Sequence, residues 1–287
     1  MSGKCISGSN MGAIITLTTD LGLNDAYVAV MKGVILGINP EARIIDICHT
    51  IAPQNILQGA FVLSTAYEFF PGRTVHVVVV DPGVGTERRA IILRTPLADF
   101  VAPDNGVLSY VIRQSSTGPE NTADRRQIEP GSGLEAVAIT NSRLWRSPVS
   151  PTFHGRDIFA PVAARLSLGL PPIDFGEPVS SITTLPLPHP YRMPDGVLVG
   201  HIIHIDGFGN LITDVRSGDL PQTRQAITIE IGNESISGLS RVYAEGPGLL
   251  ALIGSSGYLE IALPGGSAHA LVGVKAGDEL RIKGGTR

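Results

Sequence analysis

The run TVHVVVV at residues 74–80 constrains the fold more than any other segment of the 287-residue chain. Its β-branched side chains continue without polar alternation, which is typical of a strand that is covered on both faces. Strand-like and helix-like segments alternate around it, and that order is typical of a layered α/β domain. We therefore predict such a domain, with a mainly parallel sheet, over residues 1–190.

The elements of this domain are predicted from apolar periodicity and from turn residues. We predict strands at residues 13–18, 43–48, 74–80, 90–94 and 100–102. Helices are predicted after an Asn24 cap, over residues 53–70 with Pro53 in the first turn, and over residues 155–170. The segment 114–133 is rich in Ser, Gly, Pro and Arg, which indicates a long surface loop or insertion, with a functional lid as the alternative.

The chain changes character after residue 182. Four prolines within residues 183–194 indicate an interdomain linker, and we place the boundary near residue 190. No convincing helix follows, and short β segments separated by turn residues predict a smaller antiparallel β-barrel domain over residues 191–287. Its strands are predicted at residues 197–205, 225–231, 235–239, 248–253, 258–263 and 279–282.

Composition excludes several classes of function. The formal net charge of −4 offers no basic surface for nucleic acid, and the longest apolar runs are far shorter than the ~20 residues of a membrane span. The first ten residues lack the apolar stretch of a secretory signal, and two cysteines do not form a disulfide framework. We therefore predict a cytoplasmic protein that acts on a small molecule, with neither nucleic acid nor a membrane as partner.

Three carboxylates follow apolar strands, at the position where layered α/β domains bind their ligands. Asp20 follows AIITLTT, Asp81 follows TVHVVVV, and Asp206 follows VGHIIHI in the second domain. Any one of them is also typical of a turn or a helix cap. Each is followed by glycine within two residues, however, and glycine lets a ligand approach the backbone closely.

Two segments of the first domain carry candidate catalytic groups. Asp81 opens the glycine-containing loop DPGVGTER, in which Arg88 can fold back on Asp81, although spacing alone is also compatible with a structural ion pair. No Gly-Lys-Ser/Thr follows, so the loop is not a phosphate-binding loop. His154 stands in TFHGRD before a predicted helix; a lone histidine is usually structural, but a position beside Gly155 favours a site. No histidine spacing indicates a metal site, and we predict none.

Two turns of the second domain, DGFGN and GSSGYLE, are unusually rich in polar and aromatic groups. Phe208 can stack on a planar ring, and Asn210 can read the edge of a base through its donor and its acceptor. Ser255, Ser256 and Glu260 add polar groups in the other turn. Both sequences are equally typical of ordinary hairpin turns.

Taken together, these segments resemble one family. The blocks that carry the resemblance are ITLTTDLGLNDAYVAVMKG, IDICHTIAPQNILQGAF, VVVVDPGVGTERRA, VAPDNGVL, TFHGRDIFAPVAA, IDGFGNLITD and SSGYLEIA. They look like the S-adenosyl-L-methionine (SAM) hydroxide adenosyltransferases, the adenosine-forming SAM hydrolases, which are relatives of the SAM-dependent fluorinase and chlorinase. The resemblance covers residues 14–280. It implies an N-terminal α/β domain, a C-terminal β-barrel domain, and a homotrimer that binds SAM between the N-terminal domain of one subunit and the C-terminal domain of its neighbour.

The resemblance also implies roles for individual residues of the first domain. Asp81, Arg88 and His154 match the trio that handles the attacking water, and Asp20 matches the carboxylate that holds the ribose hydroxyls. The halogenases differ here, because the fluorinase has Tyr at the position of Asp81 and a Tyr-Ser pair at the positions of His154 and Gly155.

In the second domain the resemblance implies contacts to the remainder of SAM. Asp206 matches the residue near the methionine amino group, and Asn210 matches the side chain that reads adenine. Ser255 and Ser256 match the turn around the methionine carboxylate.

The activity that the resemblance implies is hydrolysis of SAM to adenosine and L-methionine, by attack of water at the ribose C5′. SAM is then the substrate, and no cofactor is required. Two alternatives stay open. One is a sensor that binds SAM or adenosine without turnover, and the other is a halogenase, which Gly155 in place of the halide-binding serine disfavours.

Overall fold

The structure is a computed structural model that describes residues 12–115, 133–221 and 226–284, together with the backbone of residues 127–128. Cys5, Gln225 and parts of the predicted loop at residues 114–133 lie outside the described residues. The chain divides into two compact units, Met1–Pro186 and Leu187–Arg287.

The first unit is built on a seven-stranded mixed sheet with the order β2-β1-β3-β5-β4-β7-β8. Its strands are β1 (Ile14–Thr19), β2 (Arg43–Cys48), β3 (Val75–Val79), β4 (Ala90–Arg94), β5 (Asp99–Pro103), β6 (Gln127–Ile128), β7 (Glu135–Ile139), β8 (Gly176–Pro178) and β9 (Ile182–Thr183), of which β6 and β9 pair with each other. Strands β2, β1, β3 and β5 are parallel, whereas β4, β7 and β8 are added in antiparallel order. The predicted α/β class is confirmed, and three of the six pairings between neighbouring strands of this sheet are parallel.

Helices cover both faces of this sheet. They are α1 (Tyr27–Ile38), α2 (Ile56–Ser64), α3 (Ser109–Ser115) and α4 (Ala160–Ser167). Helices α1 and α4 pack on one face, where Val77 and Val79 point, and α2 and α3 pack on the other, where Val78 and Val80 point. Successive side chains of a strand point to opposite faces, so the unbroken valine run supplies both cores at once.

Two predicted helix starts are wrong. Helix α1 begins after Ala26, and no side chain caps it there, so Asn24 is not its cap. Helix α2 spans Ile56–Ser64 instead of residues 53–70. It starts late because the Asn55 side chain caps it by accepting the Gln58 amide and because Gln54 has φ 65°. A left-handed residue cannot continue a right-handed helix. It ends early, and a separate 3-10 turn, Tyr67–Phe69, follows it.

The edges of two other predicted segments also differ. Helix α3 occupies residues that include the beginning of the predicted loop at 114–133 and was not predicted. The helix predicted from residue 155 begins with a π-helical turn, Gly155–Phe159, and continues as α4. In the described parts of the chain, no helix combines the length and apolar character that a membrane span needs.

The second unit is an antiparallel, barrel-like sheet with the order β14-β13-β17-β11-β12-β16-β15, and β10 pairs with β11. Its strands are β10 (Tyr191–Arg192), β11 (Leu198–Ile205), β12 (Leu211–Arg216), β13 (Ile227–Ile231), β14 (Glu234–Ser237), β15 (Leu250–Ile253), β16 (Tyr258–Ala262) and β17 (Glu279–Gly284). Alternating apolar residues of these strands, such as Ile227, Ile229 and Ile231, form one core. The predicted β-barrel is confirmed, but β12 was not predicted, and neither was β10, which lies in the predicted linker.

The expectation of no helix in this unit is also wrong. Helix α5 (Ala268–Val272) is one short helix, and the Ser267 hydroxyl caps it by accepting the Ala270 amide at 3.1 Å. The serine-to-helix signal is present in the sequence, but the apolar stretch that follows is too brief to show helical periodicity.

Candidate functional site

Asp20 and Asp81 lie at the same edge of the first sheet. Strands β1 and β3 are parallel neighbours, with Thr19 opposite Val79, so the residues that follow them emerge together. The backbone amide of Asp20 donates to the Val79 carbonyl at 3.4 Å. This is the carboxyl edge of the sheet, where layered α/β domains bind ligands.

Asp81, Arg88 and His154 form one hydrogen-bonded set at this edge. Arg88 Nε donates to Asp81 Oδ1 at 2.9 Å, and Arg88 Nη2 donates to Asp81 Oδ2. The same Nη2 lies 2.9 Å from His154 Nδ1. Only 5% of the Asp81 side chain and 11% of the Arg88 side chain are exposed, and the guanidinium lies 5.3 Å from the centroid of the Phe159 ring. Arg88 therefore links the other two residues of the predicted trio by hydrogen bonds to both.

The partner of His154 fixes the proton on its ring. A guanidinium has donors and no acceptor, so His154 Nδ1 must accept, and the neutral ring carries its proton on Nε2. Burial and the positive charge of Arg88 lower the pKa of His154, while the charges of Asp81 and Asp157 act in the opposite direction. The net lowering keeps His154 neutral at neutral pH, as its hydrogen bond to Arg88 requires.

Glycine is required where the Asp81 loop meets the segment that carries His154. Gly85 has φ 77°, a conformation that residues with a Cβ rarely adopt. A Cβ built on Gly85 would also overlap the carbonyl of Pro151. The DPGVG sequence therefore brings the loop into backbone contact with residues just ahead of His154.

Asp104 and Asn105, which follow β5, hold the two ends of the same loop. Asn105 Nδ2 donates to the Val80 carbonyl at 2.9 Å. Arg89 donates to Asp104 Oδ2 from Nε at 2.9 Å and from Nη2 at 2.5 Å, and the Asp104 amide donates to the Arg89 carbonyl at 2.9 Å. Sequence reasoning missed this function: VAPDNGVL was noted as a block without a role. Its signal is a polar Asp-Asn pair directly after a buried strand.

Asp20 is held by the segment after β2. Its Oδ2 accepts the backbone amide of Gln54 at 2.8 Å, and the neighbouring Thr19 hydroxyl lies 2.8 Å from His49 Nδ1. One oxygen of this partly exposed carboxylate therefore already has a backbone partner. The role of Asp20 at a ribose stays a prediction.

In the second unit, Asp206 and Asn210 bind each other. Asp206 Oδ1 accepts the amides of Phe208 and Asn210 at 2.9 Å each, and Asp206 Oδ2 accepts Asn210 Nδ2 at 2.9 Å. Phe208, at the tip of this turn, is 82% exposed. The side chains of Asp206 and Asn210, both predicted to bind SAM, thus also form hydrogen bonds that stabilise the turn.

Glu260 lies on β16, which follows the turn that contains Ser255 and Ser256, and its Oε2 would be 2.5 Å from a Cβ placed on Gly254. Tyr243, which sequence reasoning missed because it stands outside every noted block, donates from Oη to Glu260 Oε1 at 2.7 Å. Burial and the negative charge of Asp206 raise the pKa of Glu260 despite this hydrogen bond. The hydrogen bond to Glu260 and burial raise the pKa of Tyr243 to about 12. Ser255 and Ser256 are exposed.

The described residues contain no group of three or more His, Cys, Asp or Glu that could hold a metal ion. The arrangement at the edge of β3 offers a carboxylate, a guanidinium and a neutral imidazole. Such a set can orient a water molecule, accept its proton and stabilise developing negative charge.

Family models cover most of the chain. The model of the SAM hydroxide adenosyltransferase N-terminal domain matches residues 15–176, and the model of the corresponding C-terminal domain matches residues 200–281. The three residues of the trio lie within the first match, and Asp206 and Asn210 lie within the second.

Individual proteins are similar over nearly the whole length. A Salinispora tropica protein named (R)-S-adenosyl-L-methionine hydrolase is 38% identical over 277 residues, which cover 94% of this chain and 98% of that protein. A fluorinase of Nocardia brasiliensis is 27% identical over 307 residues, with 95% and 97% covered. The crystal structure of an uncharacterized conserved protein from Thermotoga maritima has a TM-score of 0.82 at 37% identity and covers 94% of this chain and 99% of that chain.

Proposed function

The chain belongs to the SAM hydroxide adenosyltransferase family, and we propose that it hydrolyses SAM to adenosine and L-methionine. The observation that carries the proposal is the contact of Asp81, Arg88 and His154 at the carboxyl edge of the sheet. This set is suited to water, the nucleophile that a hydrolase must use.

The reaction is a displacement at the ribose C5′. The water oxygen forms the new bond to C5′, the C5′–sulfur bond breaks, and its electron pair returns to sulfur. The sulfonium leaves as the neutral thioether of methionine, so the leaving group needs no general acid. The remaining task is to align a weak nucleophile with C5′ and to remove its proton.

The trio supplies these functions. A carboxylate has about four lone-pair positions, and Arg88 uses two of them, so Asp81 can still accept an O–H of the attacking water. Arg88 holds the carboxylate in one orientation and stabilises hydroxide-like charge. His154 completes the network through Nδ1. These residues and water account for the chemistry, and we propose no cofactor.

Packing at Gly155 supports water over halide as the nucleophile. A Cβ at this position would lie 3.1 Å from Met31 Sδ and 3.2 Å from Phe153 Cε2. These contacts are tighter than ordinary ones, so the serine that the halogenases carry here does not fit without movement of its neighbours. The lower identity to the fluorinase points the same way.

We assign the predicted binding residues to SAM as part of this proposal. Asp20 is supported by its place beside the trio at the sheet edge. Phe208 is supported by its exposed ring, which can stack on adenine, with Asn210 reading the base edge. The methionine part is assigned to side chains of the second unit, namely Asp206, Ser255, Ser256 and Glu260.

We further propose that the active form is a homotrimer, located in the cytoplasm, with SAM bound between subunits. Apolar side chains are exposed on α1 and on the edge strand β2, among them Tyr27, Val30, Leu36 and Ile45. Such a surface supports self-association. Light scattering combined with activity measurement tests it, and an active monomer would refute it.

Incubation with SAM followed by chromatography tests the proposed activity. We expect adenosine and methionine in equal amounts, above the rate without enzyme, and in ¹⁸O-water the label should appear on the 5′ oxygen of adenosine. A 5′-halo-5′-deoxyadenosine product formed in the presence of halide would instead indicate a halogenase. Tight binding with unchanged SAM would indicate a sensor.

A further inference from the structure

We propose that Asp157 is a positioning residue for His154, and that it acts by fixing the backbone around His154 and, in addition, through the negative charge of its carboxylate. The inference rests on the proposed hydrolysis and adds a fourth residue to its machinery. Neither the resemblance nor the spacing of TFHGRD gives Asp157 a role.

Asp157 is a charged residue with no exposed surface. Its Oδ1 accepts Arg156 Nε at 2.7 Å and Arg146 Nη1 at 3.3 Å, and its Oδ2 accepts Arg156 Nη2 at 2.7 Å and the Ser150 amide at 2.8 Å. A buried carboxylate persists only when it is paired and hydrogen-bonded, and these bonds meet that requirement. They join both ends of residues 146–157, the segment that delivers His154.

Backbone hydrogen bonds also hold the residues on either side of His154. The Phe153 carbonyl accepts the amides of Arg156 and Asp157 at 3.2 Å each, and the Asp157 carbonyl accepts the Arg146 amide at 2.8 Å. The π-helical turn Gly155–Phe159 begins directly after His154, and π turns inside helices occur frequently at functional sites. Asp157 lies inside this turn, so its hydrogen bonds determine where His154 leaves the loop.

Charge is the second contribution of Asp157. Burial and the positive charge of Arg88 lower the pKa of His154. The negative charges of Asp81 and Asp157 raise it. Arg156 compensates part of the Asp157 charge through its paired hydrogen bonds. Removing the carboxylate charge should therefore lower the pKa of His154 further, whereas removing Arg156 should raise it.

A purely structural interpretation predicts something different. In that case Asp157 only anchors a surface segment, and its loss would reduce stability without a specific effect on His154. The pair Arg94–Asp99 offers a matched control, because it is also bidentate, with distances of 2.7 Å and 2.9 Å, and it lies at the opposite end of β5 from Asp104. Asp99 has no place in the proposed machinery.

The experiment compares Asp157→Asn, Arg156→Gln and Asp99→Asn in the full-length chain. The imidazole of His154 is titrated by NMR, with its signal identified by its loss in His154→Gln, and kcat and KM for SAM are measured alongside. For Asp157→Asn we expect a lower pKa of His154 and a kcat reduced up to about 10²-fold, as for a misplaced catalytic group, with KM little changed. Arg156→Gln should shift the pKa in the opposite direction, and Asp99→Asn should change neither quantity.

Equal His154 titration in the wild type, Asp157→Asn and Arg156→Gln would overturn the inference, as would an equal shift in Asp99→Asn. If Asp157→Asn does not fold, the titration of Arg156→Gln decides, because Arg156 is partly exposed and its loss leaves no cavity in the core. Absence of adenosine formation by the wild type would instead refute the proposed function. The NMR titration would still test the positioning of His154 in that case.

Discussion

The edge of β3 in the first unit and the turn at residues 206–210 in the second unit use the same residue types in different ways. At the edge of β3, residues far apart in the sequence meet, since Arg88 and His154 are 66 positions apart. In the turn, Asp206 forms hydrogen bonds with Phe208, Gly209 and Asn210, which are at most four positions away. The first arrangement requires the whole fold, whereas the second is local.

This difference matches the division between catalysis and binding that we propose. The trio is already assembled by the protein itself, as preorganised catalysis requires. In the turn, the carboxylate of Asp206 serves the backbone amides, and the group most available to a ligand is the exposed ring of Phe208. We therefore expect substitutions in the first region to change kcat and substitutions in the second to change KM.

The largest expected effect is that of Asp81→Asn. The amide keeps the shape but cannot accept the proton of water, and general-base assistance is worth roughly 10²–10⁴-fold. The expected result is a fall of kcat by about this factor, with SAM affinity changed far less, as measured by steady-state kinetics and calorimetric titration. Asp99→Asn, which also removes a bidentate aspartate, is the control. Wild-type turnover by Asp81→Asn would show that the trio is a structural network.

The second effect concerns stability in acid. Burial lowers the pKa of His76 to about 4, and the ring is stacked on Phe100 with Thr16 as its hydrogen-bond partner. The unfolded histidine, with its ordinary pKa of 6.5, takes up a proton first. His76 should therefore contribute a loss of about 3 kcal/mol in the free energy of unfolding of the first unit as the pH falls from 6.5 to 4.

The single tryptophan, Trp145, lies in the first unit, so its fluorescence reports unfolding of that unit. His76→Gln cannot titrate and should show a weaker dependence on pH over this interval. In the second unit, burial raises the pKa values of Asp214 and Glu260, which favours the folded state in acid, while the lowered pKa of His204 opposes it. If His76→Gln and the wild type lose stability equally, His76 is not the source.

The third effect is an acid limb in kcat. Protonation of His154 would place a second N–H and a second positive charge against Arg88, which breaks their hydrogen bond. Because burial and Arg88 lower the pKa of His154, kcat should stay constant through neutral pH and decline only below 6.5, by roughly tenfold per pH unit. The pH profile of kcat measures this, and His154→Gln should lack the limb. A decline that begins above pH 6.5 would contradict the assigned hydrogen bond.

The smallest expected effect is that of Phe208→Ala in the turn. Stacking of an aromatic side chain on a base is worth about 1–3 kcal/mol, so KM for SAM should rise about fivefold or more while kcat stays constant. Stability should change by less than about 0.5 kcal/mol, because the ring is exposed. Kinetics and thermal unfolding of the same preparation test both statements. An unchanged KM would show that Phe208 does not contact adenine.

The sequence was most informative where local pattern and tertiary structure agree. The valine run before Asp81 predicted a strand covered on both faces, and the structure confirms it. The sequence of one loop also indicated that Arg88 can fold back on Asp81. The grouping of Arg88 with His154 was implied only by the resemblance to a family, because spacing along the chain carries no information about a pair so far apart.

Other features could not be read from residue types. Helix α2 starts late because Gln54 adopts a left-handed conformation that glutamine does not signal. Asn105 acts through a carbonyl on a neighbouring segment, and that partner is defined only once β5 lies beside β3. Asp157 is buried and accepts hydrogen bonds from Arg146 and Ser150, and the spacing along the chain indicates neither feature.

The close packing around Gly155 has a consequence for how nucleophile choice could change between relatives. A serine placed there alone meets Met31 on α1 and Phe153, which must each yield by a few tenths of an ångström. If position 155 has the proposed role in nucleophile choice, a serine there should be accommodated more easily after a smaller residue has replaced Met31. The order of the two substitutions can be tested by measuring the stability of both single variants and of the double variant. We expect the serine at position 155 to be less destabilising when the smaller residue at position 31 is already present.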